Sequence, residues 1–462
     1  MFQGVKLSFN KHTMKNNISI KQYLLVGGSW TLVGRLLIAF ISLLLSALLA
    51  KLLSPGDMGI YFLAFNLATF LAIFARMGLE NTLLRFVSEA IGRKQQDYIP
   101  RLIQRSLLLV LLAAVVIATG FYAGMGTWLS EHVFHSNTLG MVIGYIAILL
   151  ILLAIQSLLV EIFRAYQDIP MTVFFNGLIT ASLGFIFVAL YWLISGHASL
   201  EQLFPWILVA TTVNIILAIW VLSRKFHIFK LSGESSISYR ELVNHSWPLL
   251  FFSLTLFVMA QSDLWILAAF RSDEEVAIYG AAVRLVSLIG LFFTIIDAIV
   301  PPLIARLQVQ GQKQRLERIL RTTATLVTLP VIAILILFML FGDMLLGFIF
   351  GDYYRSGATV LIILSLGQVV NVYTGSCSYT LVMMGQQRIL FLVSIISAAI
   401  SVCCGLIWVQ SYGAIGVAVA TTLGMSVQHI LALCLVRYRC GIWTHASIKF
   451  IPDYKSVKEI FL

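Results

Sequence analysis

The chain has 462 residues, 60% hydrophobic and only 11% charged, with a net charge of +11. Globular proteins carry about 25% charged residues, so a soluble fold of this composition could not cover its surface with polar groups. A polytopic membrane protein is expected instead.

In chain order, the first 22 residues are polar and carry Lys6, Lys11, Lys15 and Lys21. The apolar run that follows is too long for a signal peptide. Runs of the ~20 residues needed to cross a bilayer then occupy 23–49, 58–79, 104–126, 139–162, 172–194 and 204–222. After a polar stretch they resume at 246–269, 277–303, 324–345, 357–382, 389–409 and 414–436. All twelve are expected to be helices, because lipid offers no partner for backbone polar groups. The fold class is therefore all-α.

The two groups of six spans repeat one another. Ser29-Trp30 recurs as Ser246-Trp247, Ile60-Tyr61 as Ile278-Tyr279, Gly92-x-Lys94-Gln95 as Gly311-x-Lys313-Gln314, and Gln167-x-Ile169 as Gln387-x-Ile389. The matches fall in order, and the offset drifts by one residue at a time, as small insertions produce. Six spans return each half to the same side, so the halves are parallel repeats about an axis along the membrane normal. The expected organisation is a tail (1–22), an N-lobe (23–223), a linker (224–242), a C-lobe (243–436) and a basic tail (437–462).

With the N-terminus in the cytoplasm, 25 of the 31 Lys and Arg fall inside, and only Lys51, Arg271 and Arg355 outside. That asymmetry predicts cytoplasmic termini. It also accounts for the net charge through anionic lipid, with no need of nucleic acid.

Ser54-Pro55-Gly56-Asp57 reads as a capped helix start, and Ser272-Asp273-Glu274-Glu275 places the same Ser-x-x-acid pattern before the eighth span. Pro301-Pro302 is expected to stop or kink that span. Gly413-Ala414-x-Gly416 provides small residues for close helix contact. His132-x-x-His135 lacks an obvious third metal ligand, and no metal site is expected. The five cysteines lie in or beside apolar runs and read as packing residues. Phosphate-loop, nucleophile-elbow and zinc-protease motifs are absent. With short outer loops besides, neither a cofactor, an enzyme nor a primary pump is expected.

Charge within a span costs about 2.5–3.5 kcal/mol, so each case needs a partner or a purpose. Arg35 stands mid-way along the first span, about 20 Å from its inner end at ~1.5 Å per residue; it either faces a water-filled cavity or pairs between helices. Asp263 and Arg284 lie at similar depths in the seventh and eighth spans, about 10 Å below the outer surface. They can form an ion pair, or Arg284 can exchange Asp263 for an anionic substrate and free the acid for a proton or sodium. Asp297, deeper in the eighth span, is a second candidate for ion coupling. Arg76 and Glu80, spaced i,i+4, form either an interfacial pair or the inner mouth of an anion-binding cavity. Gln156, Asn214, Gln261, Gln368, Asn371 and Gln428 add polar groups within the spans, and most are expected to hydrogen-bond between helices.

Residues 52–61, Leu-Leu-Ser-Pro-Gly-Asp-Met-Gly-Ile-Tyr, resemble the first-loop signature of the Wzx-type polysaccharide flippases of the MOP superfamily. Residues 275–285 resemble the matching second-half signature, and residues 412–418 the one before the last helix. The resemblance implies a MATE-like six-plus-six bundle that works by alternating access in a bacterial cytoplasmic (inner) membrane. Its cargo would be an undecaprenyl-pyrophosphate-linked oligosaccharide, moved from the inner to the outer leaflet for O-antigen or lipopolysaccharide synthesis. Polymerase and chain-length proteins of the same pathway would be partners. Related lipid II flippases use arginines in helices 1, 2 and 8, where Arg35, Arg76 and Arg284 stand here. A multidrug exporter of the superfamily is the alternative, yet such exporters commonly carry an acid in helix 1, where this chain has Arg35. An O-antigen polymerase or membrane glycosyltransferase would need a large outer loop and no repeat.

Overall fold

The computed structural model describes residues 20–92, 98–196, 198–226 and 238–447, without the side chains of 20–29, 92, 252, 294–299, 302, 305, 306 and 309. Most of the predicted linker and of both tails lies outside the described residues. In the first half, α1 spans Ile20–Leu52, α2 Pro55–Arg76, α3 Leu79–Gly92 and α4 Ile99–Gly120, which continues through α5 (Gly126–Trp128) to Val133. Then come α6 (Asn137–Met141), α7 (Ile143–Ala165), α8 (Ile169–Val173), α9 (Ile179–Ser195) and α10 (Leu200–Phe226). The second half has α11 (Tyr239–Phe270), α12 (Asp273–Val309), α13 (Lys313–Phe350), α14 (Ala358–Thr374), α15 (Cys377–Met383) and α16 (Gln387–Cys440). Among the described residues there is no strand.

Eleven of the described helical stretches are long and apolar enough to cross a membrane. The last, α16, is broken at Gly413 (φ 54, ψ −135). Beyond it the chain folds back: a Cβ at Gly416 would lie 2.6 Å from the Trp408 carbonyl, and one at Gly424 2.7 Å from Ser401. Counted as two arms, α16 completes the predicted twelve crossings.

The first expected cap forms as written, the Asp57 N–H donating to Ser54 Oγ at 3.1 Å with Pro55 opening α2. In the second half the acids turn elsewhere. Glu275 Oε1 accepts the Ala414 N–H at 2.6 Å, and Asp273 Oδ2 accepts the Ser136 hydroxyl at 2.8 Å. Of the two expectations for the eighth crossing, a stop does not occur, because α12 runs on through Pro301-Pro302 to Val309. Each proline lacks the N–H that would close a ladder bond there, and the helix continues without it.

Polar residues within the spans serve backbone irregularities. A π-type turn at Phe174–Leu178, with Gly177 at φ 150, interrupts the crossing between α8 and α9. The Phe175 carbonyl accepts Gln156 Nε2 at 3.0 Å and Asn214 Nδ2 at 3.1 Å, from α7 and α10. In the second half, α14 stops at Gly375 (φ 70). There the Thr374 carbonyl accepts Thr444 Oγ1 at 2.7 Å, and the Tyr373 carbonyl accepts the Ala446 N–H at 2.8 Å. Residues 441–447 therefore pack as a strap, with Thr444 fully buried. Gln428 reaches Ser394 at 3.4 Å, while Gln368 bonds Asn371 within one helix rather than between two.

Candidate functional site at the interface of the repeats

The halves meet along α2 and α12, the most extensive contact between them, and along α11 against α2 and α3. At the end opposite the basic loops the α2–α12 crossing is tight. A Cβ on Gly59 would lie 1.8 Å from the Asp273 carbonyl, and one on Gly280 2.2 Å from the Phe62 ring. Deeper, Asn66 joins the lobes: its Nδ2 donates to Gln261 Oε1 at 2.6 Å, and its Oδ1 accepts the Trp265 indole N–H at 2.7 Å. Phe70 packs edge-on against Trp265 at 4.5 Å. The α2/α3–α11 seam is also closed at the basic end. There Ser246 Oγ donates to Thr82 Oγ1 at 2.8 Å, and Gly78 lies against the Ser246 carbonyl. The α12 face differs below Arg284: Ser287 is exposed, and a Cβ on Gly290 would meet nothing within 4 Å.

The arginines expected at the site stand on α1, α2 and α12, and α12 contacts both other helices across the repeat boundary. Arg35 is exposed, among Val33, Leu36 and Leu37, with no ion pair or hydrogen bond among the described residues. Arg284 is half-buried, its guanidinium 5.6 Å from the centre of the Phe62 ring and within electrostatic reach of Tyr61. No carboxylate pairs with it among the described residues. The direct Asp263–Arg284 pair considered above does not form. Asp263 instead accepts the Tyr279 hydroxyl at 2.7 Å and the Leu264 N–H at 2.8 Å. Tyr279 lies between the two residues in sequence and is the nearer donor, and its ring is fully buried.

Arg76 does meet Glu80, at 3.6 Å, with both side chains largely buried. Arg76 Nε also donates to the Ala72 carbonyl at 3.2 Å, tying the cation to its own helix. Glu161 of α7 lies within electrostatic reach of both and pairs with Arg164 at 2.9 Å. Glu80 Oε2 and Glu161 Oε2 are buried with no hydrogen-bond donor. Asp297 lies on α12, but its side chain is outside the described residues.

A profile of the family described as polysaccharide biosynthesis protein matches residues 24–308. The chain belongs to that family. A MatE profile also matches residues 248–407. The probable low-salt glycan biosynthesis flippase Agl15 of Haloferax volcanii is 24% identical over 388 residues, covering 83% of this chain and 77% of that one. Two solved structures share the fold. An inward-facing multidrug resistance MATE transporter has TM-score 0.74 at 15% identity, covering 87% of this chain and 94% of its own. The lipid II flippase MurJ in an inward closed conformation has TM-score 0.70 at 15% identity, covering 90% and 88%.

The polysaccharide-family signatures at 52–61, 275–285 and 412–418 thus form one constructed corner. Arg271 of the second turn donates to the Val409 and Gln410 carbonyls at 3.0 and 2.8 Å, holding the hairpin that Gly413 opens. The Asn66–Gln261–Trp265 latch and the acid Glu161 were not anticipated as site features. Gln261 was legible as an in-span polar residue, but which helix it faces depends on tertiary packing. Neither histidine of His132-x-x-His135 joins a metal cluster among the described residues. His132 stacks on Trp128 at 6.0 Å, and His135 Nδ1 lies 2.8 Å from the Glu131 carbonyl.

Proposed function

We propose that this polytopic membrane transporter flips lipid-linked oligosaccharides, with the diphosphate of the carrier held by Arg284 and Arg35 and received near Arg76. The observation that carries this reading is Arg284. It sits at the contact of the two repeats with no acid partner among the described residues, while Asp263 accepts from Tyr279 instead. An unneutralised guanidinium at an inter-lobe seam suits an anionic cargo, since its planar fork matches phosphate oxygens. A diphosphate carries about two negative charges and cannot cross lipid unaided. The name of the Agl15 relative, a glycan biosynthesis flippase, supports a saccharide cargo.

In this reading the carrier is undecaprenyl pyrophosphate and the chain lies in a bacterial cytoplasmic membrane with both termini inside. It supplies O-antigen-type polymerisation on the far side, acting as a transporter rather than an enzyme. Asp263, Asp297 and Glu80 are the candidates for coupling to protons or sodium. The test is Arg284→Ala and Arg35→Ala, scored for surface polysaccharide and for movement of lipid-linked oligosaccharide in proteoliposomes. Each should abolish both, and Arg284→Lys should restore part. A second reading, drug export, has the MatE match in its favour. Normal polysaccharide together with lost drug resistance in the Arg284→Ala strain would overturn the flippase reading and establish that one.

A further inference from the structure

The repeated Gly-x-Lys-Gln and Gln-x-Ile motifs have no part in the inter-lobe site. In the second half Lys313 of the first motif and Gln386, just before the second, border a cavity of about 210 Å³ on the basic end of the C-lobe, lined by Gln308, Lys313, Leu316, Met384, Gln386, Arg439 and Cys440. Two cations and two amides line it, and among the described residues no acid does. Two long helices begin at its rim, α13 at Lys313 and α16 at Gln387, and neither receives a side-chain cap. Their dipoles favour an anion there, together with the first-turn N–H groups other than that of Lys313, which bonds the Gly311 carbonyl, and that of Ile389, which bonds the Gln386 carbonyl. The C-terminal ends of α12, α15 and α16 share the rim, and each receives a returning N–H: Gln312 to the Leu307 carbonyl at 3.1 Å, Gln386 to Leu381 at 2.8 Å after Gly385 (φ 75), and Gly441 to Arg437 at 3.1 Å.

The first half shows what this architecture does with a negative charge of its own. Aligning Gln167-x-Ile169 with Gln387-x-Ile389 sets Asp168 against Arg388. Asp168 caps α8 through the Met171 N–H at 3.5 Å. Its other oxygen pairs with Lys225, near the end of the lobe's last helix. Arg439 occupies the corresponding place near the end of α16. The second half therefore keeps the cation and the helix start but replaces the carboxylate with Arg388, which is exposed.

We propose that this cavity binds the phosphate oxyanion of an anionic phospholipid headgroup, which takes the place that Asp168 fills in the first half. Lys313 and Arg439 contact the phosphate, the α13 and α16 N-termini add N–H donors, and Leu316 and Met384 border the acyl chains. Anionic leaflets favour each nearby Lys or Arg enough that losing two should cost about tenfold or more in retention. The site is independent of the cargo and of Arg284.

The test is native mass spectrometry of the full-length protein equilibrated with phosphatidylglycerol, phosphatidylcholine or inorganic phosphate. Wild type should retain phosphatidylglycerol in preference to phosphatidylcholine. Lys313→Ala with Arg439→Ala should lose that preference about tenfold or more, whereas Lys51→Ala, at the opposite end, should keep it. Arg388→Asp restores the first-half pattern. It should release the lipid and raise the melting temperature of lipid-free protein, which separates loss of the site from misfolding. Unchanged phosphatidylglycerol retention in the double variant overturns the proposal. So does displacement of the lipid by millimolar inorganic phosphate, which would assign the cavity to free phosphate.

Discussion

Asn66→Ala should open the outer contact between the lobes. The asparagine is 7% exposed and makes two hydrogen bonds to α11, at 2.6 Å to Gln261 and 2.7 Å from the Trp265 indole. Interhelical hydrogen bonds within membranes contribute roughly 0.6 kcal/mol each, and a donor left without an acceptor adds a penalty of about 1 kcal/mol or more. Removing the amide should therefore weaken the outer contact by about 2 kcal/mol. A shift of that size changes a two-state population by more than tenfold. Spin labels at Lys51 and Tyr412, exposed positions on the outer ends of the two lobes, report the change in a cysteine-free background. Wild type should show one dominant short distance, and Asn66→Ala a second, longer one of comparable weight. Asn66→Asp retains the acceptor for Trp265 but loses the donor to Gln261, so it should fall between the two. An unchanged distance distribution in Asn66→Ala would refute the latch, whatever its effect on transport.

Gly59→Ala forces a methyl to within 1.8 Å of the Asp273 carbonyl, a backbone atom that cannot rotate away. It should destabilise the fold by about 1–3 kcal/mol, read as a lowered melting temperature; Gly280→Ala, whose nearest contacts are side-chain atoms of the Phe62 ring rather than backbone, should cost less. Asn214→Ala and Gln156→Ala should each be mild, because the Phe175 carbonyl keeps one donor. The double variant should lose more stability than the two singles added together. In the strap, burial and then the nearby Arg321 hold the His445 pKa below its ordinary value, with Glu317 opposing. Its Nε2 lies 3.3 Å from the Arg321 guanidinium, an arrangement that suits the neutral ring. Above pH about 6.5 both folded and unfolded states are neutral at this residue. Below it the unfolded chain takes the proton first, so stability should fall with acidification. His445→Gln should flatten the melting temperature between pH 7 and 5, and an unchanged slope would show that other groups set it.

Twelve crossings, the duplication and the capped turn at Ser54 were all legible, because each rests on local pattern: apolar length, recurrence, or a cap within one turn. Side-chain partners were legible only where sequence spacing imposes them. Arg76 and Glu80, one helical turn apart, meet as expected. Asp263 and Arg284, matched only by depth, do not, since depth says nothing about rotation around a helix axis. Tyr279, a residue with a hydroxyl on the inward face of α12, took the acid instead. The Asn66 latch was hidden for the same reason, because helices apolar on every side give no periodic signal of which face is buried.

The pseudo-twofold axis explains why the two halves cannot stay identical at their contact. Positions related by the axis approach one another there, and two copies of a large residue would collide. The offset that pairs Ile60-Tyr61 with Ile278-Tyr279 sets Phe62 against Gly280, and these two do pack together, the ring covering the glycine. One repeat supplies the bulk and the other the space. The same offset sets Asn66 against Arg284. In the first half that position holds the lobes together through an amide. In the second it presents a guanidinium with no acid beside it among the described residues. A symmetric pair of arginines near the axis would repel and spread the lobes, whereas one arginine and one amide leave a single cation beside a formed latch. Exchanging them, Asn66→Arg with Arg284→Asn, keeps composition and net charge while moving the cation to the other lobe. If one cation near the axis is all that cargo binding requires, the exchanged protein should transport. If the charge must sit beside the α12 face that is open below it, the exchanged protein should lose transport beyond what Asn66→Ala loses through the latch alone, at a melting temperature no lower than that variant's. The open surroundings of Ser287 and Gly290 favour the second outcome.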